Sequence, residues 1–279
     1  MVRPSMWPRT VRLGLLSGVC VIGLIALILM PRIPLADHYH DFADKRMMLG
    51  ISNCLDVISN IPFFVVGLLG LAWLLGKRKR SAFLDKREIV PYLIFFAGVA
   101  LTGVGSFWYH LAPTNSRLPW DLLPMTCSFI SMVVAIYMER VDVTVGFIGL
   151  APLLLLGTAS VAYWYLSESY GHGNYKFYLF VQYFSPVIVA SIMGLFPPRY
   201  SGTRYLAAAF SLFVAAKLFE LFDFQIYTGS HEFVGGHSLK HITAAISCYL
   251  ILRMLQVRRT VSDEHLLNGV HAAELAKTK

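Results

Sequence analysis

Apolar runs of bilayer length follow one another from end to end of this chain, at about Leu13–Met30, Cys54–Leu75, Val90–His110, Pro119–Met138, Val143–Tyr165, Phe177–Phe196, Tyr205–Tyr227 and Ser238–Leu255. About 20 apolar residues cross the hydrocarbon core as a helix. Lipid offers the backbone no hydrogen-bond partner, so such runs must pair their own N–H and C=O groups. With 56% hydrophobic residues, 14% charged residues and a mean hydropathy of +0.60, the 279-residue chain lies outside the range of soluble domains. The fold class expected is all-α, a polytopic transmembrane helix bundle without an internal repeat. Leu13–Met30 follows a basic start as a signal peptide would, but Pro31-Arg-Ile-Pro34 follows it in place of a small-residue cleavage site, so it reads as a retained anchor. The tail after Arg258 is polar, with weak helical patterning over Glu264–Lys277.

The net charge of +8 does not point to nucleic acid, because the cations cluster in short segments between apolar runs. Arg3, Arg9 and Arg12 precede the first run, and Lys77–Arg80 with Lys86 and Arg87 follow the second. Arg140, then Arg199 with Arg204, then Arg253, Arg258 and Arg259 mark every alternate connection after that. The other connections hold fewer cations: Arg32, Lys45, Arg46, Arg117 and Lys176. The positive-inside rule then predicts both termini in the cytoplasm. Cys20, Cys54, Cys127 and Cys248 all lie within apolar runs, match no zinc spacing and read as small core residues.

This topology places four polar residues at one depth near the outer face: His110 at the end of the third run, Asp121 at the start of the fourth, and His237 and His241 at the start of the eighth. Ionisable groups at membrane depth are costly and mark function by default. A His-x-x-x-His pair sets two imidazoles one turn apart on one helix face. Two such ligands with His110 as a third, and water in the fourth position, form the donor set of a catalytic zinc (Zn2+). Zinc lowers the pKa of bound water to about 7. Asp121 suits the role of general acid/base, and Ser106, one turn before His110, could hold an oxyanion or orient the water. Lys217 and Glu220 are spaced to pair on one face and read as a structural ion pair, with Asp56 and Asp223 as further buried charges; a transport path through them is the sharper alternative. Phe107, Trp108, Tyr109, Trp120, Tyr163, Trp164 and Tyr165 read as an interfacial belt.

Three ordered blocks resemble the alkaline ceramidase family, within the superfamily of seven-helix membrane hydrolases related to adiponectin-receptor-type proteins. They are Ser59-Asn60-Ile-Pro62-Phe63; Gly105-Ser106-Phe-Trp-Tyr-His110 with Asp121-Leu-Leu-Pro124-Met125; and Glu220-Leu-Phe-Asp223-Phe leading to Gly236-His237-Ser-Leu-Lys-His241. The resemblance implies a seven-helix core over 54–257, preceded by an anchor and outer polar loop over 1–53 and followed by a cytoplasmic tail over 258–279. It implies zinc on His110, His237 and His241, completed by Asp121 and Ser106. It also implies hydrolysis of ceramide or another N-acyl lipid drawn from the bilayer, giving a sphingoid base and a fatty acid. Family members often carry a calcium (Ca2+) site before the first core helix. Asp41 and Asp44 could serve it here, although Arg46 and Asn53 stand where ligands are expected, and the Arg46 guanidinium could replace the cation by pairing with Asp41 or Asp44. A receptor or sensor with a structural metal, or a transporter, are the competing readings.

Overall fold

A computed structural model of the chain describes residues 7–76 and 82–261. Within them the structure is helical and has no strand. Arg3, the Lys77–Arg80 cluster and the Glu264–Lys277 pattern lie outside the described residues.

The helices are α1 (Arg9–Leu29), α2 (Cys54–Ile58), α3 (Ile61–Leu75), α4 (Ile89–Leu111), α5 (Leu118–Arg140), α6 (Val143–Ser169), α7 (Lys176–Leu195), α8 (Thr203–Leu221), α9 (Asp223–Gly229) and α10 (Gly236–Val257). Six spans among the described residues are long and apolar enough to cross a membrane: α1, α2 with α3, α4 with its 3-10 lead-in, α5, α6 and α7. The α8–α9 pair makes a seventh if its 77° bend is counted within one span. The sequence suggested one spanning helix over about Tyr205–Tyr227; the structure divides it at Phe222 into α8 and α9. Helix α10 is as long as the others but carries Lys240, Arg253 and two histidines, and falls short of them in apolarity.

Helix α4 is the centre of the bundle, packed against α3 and α5, while α8 packs against α10. Buried residues make up 61% of the most apolar window of α4, against 11% in α1, which rests on α7. Ile22, Ile28 and Leu29 of α1 and Leu155 and Leu156 of α6 are exposed, a surface suited to lipid rather than water. The α4–α5 contact is close because Gly105 has no side chain: a Cβ there would collide with the Trp120 carbonyl. Pro124 has no N–H to return to that carbonyl along α5, so the carbonyl is free to press against α4.

Candidate metal centre

His110 is in the last turn of α4, and His237 and His241 stand one turn apart in the first turns of α10. The structure brings all three together. One ring nitrogen from each lies within 4.8 Å of the others, and all three residues are buried. Ring centroids are 4.7–4.9 Å apart, and His110 Nε2 faces His237 Nε2 at 3.3 Å.

Each imidazole is held by a different device. The Ser59 hydroxyl donates to the Asp56 carbonyl at 3.0 Å and so presents its oxygen to His241 Nδ1 at 2.8 Å. Nδ1 therefore carries the proton, and the Nε2 lone pair of His241 is left free to bind a metal. His237 is held through its backbone: its N–H donates to Asp223 Oδ1 at 2.9 Å. Asp223 stands at the α8–α9 break, so the bend supplies the carboxylate that caps α10. Gly236 lets this approach happen, since a Cβ would strike the Phe219 carbonyl. The His110 carbonyl accepts from Asn53 Nδ2 at 2.9 Å, and His110 Nδ1 is buried without a partner. Ser238, between the two α10 histidines, donates to Asp56 Oδ1 at 2.6 Å and locks α10 onto α2. Three convergent imidazoles, one of them fixed as the correct tautomer, fit a transition-metal ion of the zinc class.

Ser106 and Asp121 line the same cavity as His241. Ser106 and Asp121 are both buried, and Asp121 Oδ1 has no hydrogen-bond partner. The cavity measures about 290 Å³. It runs from Asp121 and His241 down a wall of Phe95, Val99, Leu206 and Ile251, a shape and polarity suited to an alkyl chain with a polar end.

The segment before α2 closes the site from above. The Phe42 ring sits 4.7 Å from that of His110 and 4.3 Å from that of His237. His40 accepts from the Tyr109 hydroxyl at 2.8 Å and donates to Asn115 at 2.7 Å. Tyr39 is half-buried, the desolvation of its phenol holds it protonated well above the usual range, and it bonds Tyr175 at 2.9 Å. Two members of the expected aromatic belt are inward anchors instead: Tyr109 and Trp164 are buried, whereas Trp108 and Trp120 are exposed as a belt requires.

The two acidic residues considered for calcium are not brought together as a ligand set. Both oxygens of buried Asp44 are taken by Arg46, at 2.8 Å from Nε and 2.6 Å from Nη2. Asp41 is exposed and pairs with Lys45. Arg46 Nη2 also reaches the Phe233 carbonyl at 2.9 Å, and Asp223 Oδ2 accepts from Ala43 N at 3.0 Å. An internal guanidinium therefore does the bridging that a cation would do, tying the loop to the approach of α10. Among the described residues the one metal-capable group is the histidine triad.

No protein-family model matches the chain, and no curated protein is significantly similar to it. The functional reading rests on the geometry and on the three sequence blocks.

The residues that sequence reasoning missed are Phe42, Ser59 and Asp223 as supports of the triad, and Lys240, whose ammonium lies 3.0 Å from His237 Nε2 and 2.9 Å from Glu220 Oε1. The available signal for Asp223 was its place in a resembling block and its charge within an apolar run, since it lies 14 residues before the His237 N–H that it caps. Ser59 carried none beyond its place in a resembling block. Lys217 pairs with Glu220, as its spacing suggested.

Proposed function

We propose that this chain is an integral membrane, zinc-dependent hydrolase of N-acyl lipids, resembling the alkaline ceramidases. The observation that carries this reading is the convergence of His110, His237 and His241 beside Asp121, at the polar end of a chain-sized apolar cavity. The charge pattern supports an orientation with the site toward the periplasmic or lumenal face, and on the resemblance α2–α10 would correspond to the seven-helix core of that family.

His110, His237 and His241 would hold the ion. Bound there, zinc supplies a Lewis acid and makes hydroxide available near neutral pH. Asp121 takes a proton from the attacking water through its free oxygen, and Ser106, on the same cavity wall, holds the oxyanion or orients the water. As the C–N bond breaks, Asp121 passes that proton to the departing nitrogen. The oxygen of water becomes part of the fatty acid and the amine leaves with the proton, so atoms and charges balance. The cavity wall holds the acyl chain, and Phe42 with its loop limits bulk water above the triad.

The test is zinc per mole of detergent-purified protein, followed by a lipid amide screen with ceramides first. Wild type is expected to hold about one equivalent, the count set by a three-histidine site, and His110→Ala close to none. Asp121→Asn should retain the zinc and lose roughly 10²–10⁴ in turnover. Folded wild type without zinc would remove the hydrolase reading. Zinc retained with no lipid amide turned over would favour the sensor.

A further inference from the structure

The cavity that ends at the triad has a second charged feature, and the proposed hydrolysis does not use it. Lys217 and Glu220 of α8 and Lys240 of α10 line it together, and Asp121 is the other charged group on its wall. Lys217 bonds Glu220 Oε2, and Lys240 bonds Glu220 Oε1 at 2.9 Å. Both carboxylate oxygens are spent, and one carboxylate cannot neutralise two ammonium groups. Lys217 and Lys240 keep side-chain exposures of only 20% and 18%, and Lys217 lies 5.3 Å from the centre of the Tyr183 ring, so water does little to offset the excess charge. Asp121 is the only acid besides Glu220 among the residues that line the wall, and the proposed hydrolysis already uses it.

Lys240 is the group with spare capacity. An ammonium has three donors. One goes to Glu220 and a second to His237 Nε2. His237 Nε2 is also the atom that faces His110 across the triad. A metal bound there claims that lone pair and leaves Lys240 with two donors directed into a low-dielectric cavity. A buried charge without its partner is costly, and a site with such a charge favours a ligand that supplies the counter-ion.

We propose that Lys240, backed by Lys217, receives an anionic group of the substrate, so that the amide cleaved here carries a carboxylate beside its nitrogen. The favoured substrate class is then the N-acyl amino acids rather than neutral sphingoid amides. This rests on the hydrolase reading and narrows its amine half; the apolar wall serves the acyl chain in either case.

The experiment uses a matched pair of ligands, N-dodecanoylglycine and N-dodecanoylethanolamine, which share chain and amide and differ in the carboxylate. Binding to the full-length, zinc-loaded protein in nanodiscs is measured by calorimetry, and hydrolysis of both is measured in parallel. The acid is expected to bind about tenfold or more tightly, and Lys240→Met to bring it to the level of the neutral ligand. Lys240→Gln, which keeps a polar side chain without the charge, is expected to do the same and guards against a folding defect in the first variant. Equal affinity of wild type for the two ligands would overturn the proposal. So would a loss of equal size for both ligands in the lysine variants, which would place Lys240 at the amide carbonyl. Acid preference without hydrolysis of either ligand would instead sink the hydrolase reading and leave anion recognition standing.

Discussion

The two ends of α4 both bury charge, and they treat it in opposite ways. At the Glu88 end the charged groups are paired, and of their buried polar atoms only Arg258 Nη2 has no hydrogen-bond partner. Glu88, fully buried, accepts from the Tyr200 hydroxyl and from Arg199 at 3.2 Å. Glu139 accepts from the Tyr92 hydroxyl at 2.8 Å and pairs with Arg258. The Arg258 guanidinium is held between the rings of Phe83 and Tyr200, with centroids at 4.3 and 4.1 Å. The space left among these groups is about 10 Å³, room for a single water at most. At the His110 end the cavity is about 290 Å³, and His110 Nδ1, Asp121 Oδ1 and Asp56 Oδ2 are buried with no partner. Native proteins rarely leave buried polar atoms unpaired without a reason in function. One end fastens the chain, joining α4, α5 and the exit of α10; the other keeps its polar atoms available for a ligand.

The largest effect that would sharpen this contrast lies at the fastened end. Glu139→Gln leaves the Arg258 guanidinium, only 6% exposed, without its counter-charge. Removing one partner of a buried pair typically costs about 3–5 kcal/mol. Denaturant unfolding of the variant should show a loss of that order, with zinc content per folded molecule unchanged. A variant as stable as wild type but depleted of zinc would mean that the two ends are not separate in purpose.

A smaller effect is expected beside the triad. Ser59→Ala removes the oxygen that receives the His241 Nδ1 proton and leaves the ring free to turn. Losing such a support usually weakens metal binding about 10–100-fold. Competition against a zinc chelator should show that shift, with turnover largely recovered at saturating zinc. Unchanged zinc affinity would show that Asp56 and the packing of α2 on α10 orient His241 without Ser59.

These two ends were not equally legible in the sequence. Lysine and arginine counts alone placed His110, Asp121, His237 and His241 at one depth, because topology fixes depth and each residue lies within a turn or so of a helix end. Depth does not fix rotation. That Lys240 turns toward Glu220 while Lys217 approaches the same carboxylate from α8 depends on how α8 and α10 pack together, and no local periodicity records it. The α8–α9 break was hidden for a similar reason: Phe222-Asp223 contains neither proline nor glycine, and the bend is supported from outside by the N–H groups of Ala43 and His237. Arg258 was read only as a topology signal beyond the last helix, yet it reaches back between Phe83 and Tyr200. At Asp44 the sequence left two possibilities open, a cation or the Arg46 guanidinium two residues away, and in the structure Arg46 satisfies both carboxylate oxygens.

That last pair offers the mildest test. Burial alone would raise the Asp44 carboxyl, but the side-chain and backbone hydrogen bonds from Arg46, aided by its positive charge, outweigh it and hold the group below its ordinary value. A carboxyl whose folded value lies below its unfolded one favours the folded state fully above the unfolded value, near pH 4. The contribution is lost as the pH falls through the folded value. Asp44→Asn should therefore lower the unfolding midpoint at neutral pH and converge with wild type in acid. The comparison belongs in chelator-treated protein, so that protonation of the histidines does not add a metal-loss step to the same limb. If the gap between the two proteins stayed constant down to strongly acidic pH, the Arg46–Asp44 pair would not be what holds the loop over the triad. The neutral contacts of Phe42 with His110 and His237 would then be left to do so.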